Sequence, residues 1–181
     1  MSAEAMDVRR LVLLRAAPER VWTALRDELP AVATHLRGID AVRRLEHAAG
    51  DGGVVHTVHE WTAAASLTAA IERYVDRGAL TWVERATWHE PAREARWTVA
   101  SRLLGGDLTG TGTTRLEPAM GGRGTRLHFA VGASLARGAL GPIGQGAFRG
   151  RLEDAAAELL ARTLQALGAA VEAHLAGARP D

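Results

Sequence analysis

The spacing of apolar positions changes several times along this chain, and each change marks a different kind of element. Residues 8–16 (VRRLVLLRA) are short, apolar and rich in branched side chains, so they read as a strand. Ala17-Pro18-Glu19 opens a helix, with proline in the first turn and an acid beside the positive end of the helix dipole. The spacing of Val21, Trp22, Leu25 and Leu29 puts them on one face of that helix, and Pro30 is expected to stop it. A second short helix is expected over 31–36, ending near Gly38.

Alternation then takes over. Residues 41–47, 54–61, 80–89, 95–103, 108–117 and 127–135 read as strands, separated by turn signals at Gly50-Asp51-Gly52-Gly53, Pro91, Gly105-Gly106-Asp107 and 121–124. In 80–89, Leu80, Trp82, Ala86 and Trp88 fall on one side, and Thr81, Arg85, Thr87 and His89 on the other. Ala95, Trp97, Val99 and Leu103 alternate against Arg96, Thr98 and Arg102 in the same way. Residues 66–74 (SLTAAIERY) have helical spacing instead. From residue 151 the period becomes helical for good, with Leu152, Leu159, Leu160, Leu164, Leu167 and Val171 along one stripe. Starting near Pro142, such a helix runs about 34 residues, roughly 50 Å at the helical rise.

The order is one strand, two short helices, six strands and one long terminal helix. Strands in a run followed by a helix predict an α+β fold with an antiparallel sheet. A sheet with one apolar face needs a cover, and the terminal helix is the element able to supply it. A strongly curved sheet gripping a helix leaves an apolar concavity, the usual place for a ligand. A length of 181 residues predicts a single domain over 1–181, with its core at about 8–175 and loose termini.

Composition narrows the partners. The 22 basic and 21 acidic residues leave a net charge of +1, and every basic residue is Arg. Those arginines are spread along the chain, so nothing predicts a nucleic-acid partner. Arg in place of Lys, with abundant Ala and Gly, fits a GC-rich bacterial genome. With no Cys there is no disulfide framework, thiolate metal site or Cys nucleophile. No apolar run approaches the ~18–20 residues of a membrane span, and the first residues lack a secretory pattern, so a cytoplasmic location is expected. No sequence feature sets an oligomeric state. Aromatic usage is lopsided: five Trp against one Tyr and two Phe.

Alternation puts Trp82, Trp88 and Trp97 on the apolar face of adjacent strands, joined by Trp22 from the first helix. They read either as ordinary core or as the lining of a ligand site, since cavity walls offer indoles both apolar surface and acceptors for their N–H groups. Glu84 shares that side. A carboxylate facing an apolar interior is a candidate acid or base, or an anchor for a ligand hydroxyl or amine; the plainer reading is a bulge that turns it outward, or an Arg partner. In His56-Thr-Val-His59-Glu60-Trp61, the two histidines lie three apart and point to opposite faces of a strand, so they cannot share one metal ion; no metal is expected. If Trp61 points inward, so do Val55, Thr57 and His59, and His59 and Glu84 then form a candidate acid–base pair. The opposite register brings His56 and Glu60 inward instead. Tyr74, Ser101, Thr114, Phe129 and Phe148 complete the candidate ligand lining with Trp61, Trp82, Trp88 and Trp97. His35, His47, His89 and His174 read as surface positions. The glycines at 110, 112, 144, 146 and 150 lack the G-x-G-x-x-G spacing of a nucleotide cradle and read as bends and turns, so no cofactor is expected.

The opening Leu14-Arg-Ala-Ala-Pro18-Glu-Arg-Val-Trp22-Thr-Ala-Leu25, followed by 80–88 (LTWVERATW), 110–118 (GTGTTRLEP) and 124–129 (GTRLHF) in that order, resembles the START-like helix-grip superfamily (SRPBCC) over about residues 8–175. That superfamily includes polyketide cyclases/dehydrases, pollen-allergen homologues and lipid-transfer domains, and the match is to an uncharacterised bacterial branch. The resemblance implies a curved seven-stranded antiparallel sheet around a long C-terminal helix, with two short helices after strand 1. It also implies binding of a hydrophobic small molecule, such as a lipid or polyketide, in an internal cavity. The rival expectation is a cyclase/dehydratase-like enzyme using Glu84 and His59 inside that cavity, and a third is a protein-binding module. Fold alone does not choose between them.

Overall fold

A computed structural model describes residues 6–64, 81–103, 106–135 and 147–177. The elements run β1 (Met6–Leu14), α1 (Pro18–Asp27), α2 (Leu29–Ala33), β2 (Ile39–Ala49), β3 (Val54–Ala63), β4 (Thr81–His89), β5 (Glu94–Leu103), β6 (Gly106–Ala119), β7 (Gly124–Leu135) and α3 (Ala147–Gly177). All seven strands form one antiparallel sheet in the order β1-β7-β6-β5-β4-β3-β2. The fold is therefore α+β, as the pattern predicts, and helix-grip, as the resemblance implies.

Two local expectations shift. Pro30 does not simply end α1: that helix stops at Asp27, and Pro30 lies in the first turn of α2, which spans Leu29–Ala33. Proline's missing N–H costs nothing at either site, so spacing alone could not tell a stop from a start. β2 is longer than 41–47 and carries a bulge: Arg44 pairs with His59 and Glu46 with Val58, leaving Leu45 unpaired in the register.

One face of the sheet is covered by helices. Val21, Trp22 and Leu25 of α1, Leu29 and Val32 of α2, and Leu164, Leu167, Val171 and Leu175 of α3 are buried in one core with Leu14, Leu127, Phe129 and Val131 of the sheet. The 31 residues of α3 extend roughly 46 Å at the helical rise. Gly168 lets α3 sit directly on β1: a Cβ there would lie 2.5 Å from Val12 Cγ1. Polar ties fasten the C-terminal half of α3 to the α1/α2 end. The Arg20 guanidinium donates to the Leu175 carbonyl at 3.2 Å, and the Arg15 backbone N–H donates to Glu172 Oε1 at 2.7 Å. His174, expected at the surface, is half-buried, with its Nε2 2.6 Å from Glu28 Oε2.

At the C-terminal end of α1, Asp27 receives two hydrogen bonds from the Arg26 guanidinium, at 2.9 and 2.7 Å, and lies 3.0 Å from His47 Nε2 on β2. Its backbone carbonyl accepts from Arg44. Burial pulls the Asp27 carboxyl up, but the hydrogen bonds from Arg26 and His47 outweigh it and hold the group below its ordinary value. The same contact with Asp27 raises Arg26. This cluster clamps α1 to the bulged edge of the sheet.

Candidate functional site

The inner, helix-facing side of the sheet can be followed row by row across the strands. One row runs Val55–Trp88–Ala95–Thr114–Phe129, from β3 to β7. The next is Thr57–Ala86–Trp97–Gly112–Val131. The third is His59–Glu84–Val99–Gly110–Ala133. Beyond it, Trp61 faces Trp82. Because strand side chains alternate, Trp61, His59, Thr57 and Val55 must all point the same way. The inward register of Trp61 therefore carries His59 with it, and His56 and Glu60 go outward. Glu60 pairs there with Arg43 at 3.0 Å, and His56 Nδ1 lies 3.2 Å from Thr87 Oγ1.

All five indoles thus belong to the interior. Trp22 meets Trp88 edge-on, with ring centroids 5.1 Å apart, and the Arg93 guanidinium lies over the Trp22 ring at 5.6 Å. Trp88 Nε1 donates to Thr57 Oγ1 at 3.0 Å, and Trp97 Nε1 donates to Thr114 Oγ1 at 3.0 Å. Trp61 and Trp82 stack with planes 12° apart and centroids 5.8 Å apart. Large rings alternate with small residues, as close packing requires. Trp97 lies over Gly112, where a Cβ would come within 2.4 Å of its ring.

Packing is not uniform along this face. Near α1, Trp88, Ala95, Thr114 and Phe129 are all buried, and Trp22 is sealed beneath Arg93. Farther along, Trp82, Glu84, Trp97, Val99 and Ser101 face inward yet are only half-buried. The polar pair lies where the two regimes meet. His59 is fully buried, Glu84 is 17 % exposed, and His59 Nδ1 is 3.8 Å from Glu84 Oε1, a little beyond hydrogen-bond length. Both ring nitrogens of His59 and the Trp61 Nε1 are buried with no hydrogen-bond partner among the described residues. Toward β7, this row continues through Val99, Gly110 and Ala133.

Other candidates fall differently. The Ser101 hydroxyl donates to the Thr81 carbonyl at 2.8 Å, and Thr114 is occupied by the Trp97 indole. Phe129 packs in the core opposite Thr114. Phe148 lies on the first turn of α3, but its side chain is outside the described residues, as are Tyr74 and the whole of 66–74. Among the described residues no three His, Asp or Glu side chains gather to hold a metal ion. A groove of about 550 Å³ lies away from these groups, on the convex face between Arg9, Leu11, Arg115 and His128. An ion pair from Glu117 to Arg115 crosses it, with His128 Nε2 3.2 Å from Glu117 Oε2. Thr57 matters more than its sequence context suggests, because only the pairing of β3 with β4 shows it accepting the Trp88 N–H.

The sequence model of a family described as "Protein of unknown function (DUF2505)" matches residues 12–136. The chain belongs to that family. No curated protein matches it. This DUF2505 chain is similar in structure to TTHA0849 from Thermus thermophilus, with a TM-score of 0.65 and 24 % identity over 96 % of this chain and 100 % of that one. It is similar to the Zhui aromatase/cyclase from Streptomyces sp. R1128 at a TM-score of 0.62 and 19 % identity, covering 96 % of this chain and 93 % of the other. Ara h 8.0201 aligns at a TM-score of 0.60 and 16 % identity, over 96 % and 99 % of the two chains. At these identities the likeness shows the fold alone: the DUF2505 chain shares the helix-grip architecture of these structures. No helix among the described residues is long and apolar enough to cross a membrane.

Proposed function

We propose that this protein binds a hydrophobic small molecule on the inner face of the sheet, between the sheet and α3. The observation that carries the reading is the change in packing along that face. The α1 end is closed, whereas Trp82, Glu84, Trp97 and Val99 face inward and stay half-accessible. Accessible indoles on a concave face favour a flat, apolar occupant. The fold supports the same reading, because one structural relative is an aromatase/cyclase. Organic extraction of the purified protein followed by mass spectrometry, with tryptophan-fluorescence titration against lipids and aromatic polyketides, tests it. A co-purifying apolar compound or saturable quenching is expected. An empty extract together with no response to any probe overturns the reading.

One observation favours a second reading, a polyketide cyclase/dehydratase-like enzyme. His59 and Glu84 lie 3.8 Å apart on the same face, within the range that closes to a hydrogen bond once a substrate is bound. In that reading Glu84 receives or returns a proton and His59 polarises the reacting oxygen. Glu84→Gln then abolishes turnover of a cyclising substrate while folding and ligand affinity persist; unchanged turnover removes the assignment.

A further inference from the structure

Four buried side-chain polar atoms lack a hydrogen-bond partner among the described residues: Trp22 Nε1, Trp61 Nε1, and both ring nitrogens of His59. Three of the four belong to two residues of β3, two positions apart on the same face, hence roughly 7 Å apart along the strand. Buried polar groups are nearly always satisfied, so three orphans together, beside a carboxylate, mark a place built for something polar. From this grouping we infer that the bound molecule is a neutral, flat compound carrying both a carbonyl oxygen and a hydroxyl group, seated against Trp61, His59 and Glu84. The inference rests on the ligand-binding reading above and names its class of ligand.

Each group asks for a different partner. The Trp61 indole can only donate, so it requires an acceptor, which a ligand carbonyl supplies. A neutral imidazole donates at one nitrogen and accepts at the other. The side of His59 toward Glu84 already holds an acceptor, Oε1, at 3.8 Å. A hydroxyl between them accepts from the Nδ1–H of His59 and donates to Glu84 Oε1. A ligand carboxylate does not fit, because it would set two carboxyl groups side by side. Arg44, opposite His59 on β2, does not offset that clash, since its guanidinium is turned to the Asp27 carbonyl. The Trp61 and Trp82 rings stack nearly parallel and give the seat a flat wall, and Glu84 is followed across the sheet by Val99 and Gly110.

Isothermal titration calorimetry on the full chain tests the seat with three probes sharing one ring system. They are an acetylnaphthol (carbonyl and hydroxyl), an ethylmethylnaphthalene (neither) and a methylnaphthoate (a carboxylate). The acetylnaphthol is expected to bind about tenfold more tightly than either of the others, a difference of about 1.4 kcal/mol. Trp61→Phe keeps a ring in the stack and deletes the N–H; His59→Phe deletes both nitrogens. Both should shrink the preference to less than about threefold while the hydrocarbon's affinity holds. If His59→Phe does not fold, the Trp61→Phe comparison and the wild-type preference decide the matter. Equal binding of the hydrocarbon and the acetylnaphthol overturns the inference and leaves the ligand-binding reading intact, as does a preference for the naphthoate. A preference that survives Trp61→Phe overturns the seat. If none of the probes binds but a compound is extracted from the protein, the ligand class is wrong; if nothing is extracted either, the ligand-binding reading itself falls.

Discussion

Gly112→Ala is the sharpest probe of the inner face. Glycine occupies this position because the Trp97 indole from the neighbouring strand lies across it. A Cβ would stand 2.4 Å from Trp97 Cζ2, 2.6 Å from Cη2 and 2.8 Å from the Ala130 carbonyl oxygen. Trp97 is half-buried and can swing away, but only by giving up its 3.0 Å hydrogen bond to Thr114. The Ala130 carbonyl is backbone in the centre of the sheet and cannot move so freely. Overpacking of this kind costs about 1–3 kcal/mol, and the lost hydrogen bond adds about 1 kcal/mol. A destabilisation of about 2–4 kcal/mol is therefore expected, lowering Tm by roughly 4–16 °C for a domain of this size. Urea denaturation should show it as a lower midpoint at unchanged slope, because the surface exposed on unfolding is the same. The companion variant Trp97→Leu removes the obstructing ring, so the double mutant should lose clearly less than the sum of the two single losses. A Gly112→Ala change within about 0.5 kcal/mol of the parent, or strict additivity in the double mutant, would refute the packing argument.

Other consequences are as direct. Thr57→Val strands the buried Trp88 N–H and should cost about 1–3 kcal/mol, part of which Trp88→Phe restores when both are changed, as a four-member denaturation cycle would show. Gly168→Ala presses α3 against Val12 and should lower Tm by several degrees, with Val12→Ala relieving it; thermal melts that show no rescue would place the strain elsewhere. Asp27 has a folded-state value below its unfolded one, so its contribution is present above the unfolded value and is lost as pH falls through the folded one. Asp27→Asn should therefore cost about 1 kcal/mol near neutral pH and almost nothing in strong acid; a gap between variant and parent that stays constant across that acid range contradicts the clamp.

Much of this architecture was legible in one dimension. Seven strands, two short helices and a long terminal helix follow from period and turn signals, because the direction of a side chain within an element depends only on local geometry. The same alternation puts His56 and His59 on opposite faces, where they cannot share one metal ion. It leaves the choice between His59 and Glu60 open, since β3 carries His and Thr on both faces and has no strong apolar bias. Trp61 breaks the tie only when β3 is paired with both β2 and β4. His174 reads as a surface position in sequence because its partner, Glu28, is far away along the chain and meets it only when α3 packs against the helix pair.

Sequence by itself determined which residues share a face of each strand, and so that Glu84 travels with Trp82 and Trp88. Tertiary structure decided which faces meet. The register of β3 against β4 sets His59 beside Glu84, and that of β5 against β6 lays Trp97 across Gly112. It also decided how tightly each stretch of the inner face is closed. The physical reason is one of range. Alternation is imposed by bonds within a few residues, whereas rows across a sheet depend on turn lengths, on the bulge at Leu45 and on where α3 comes to rest, none of which a local pattern encodes.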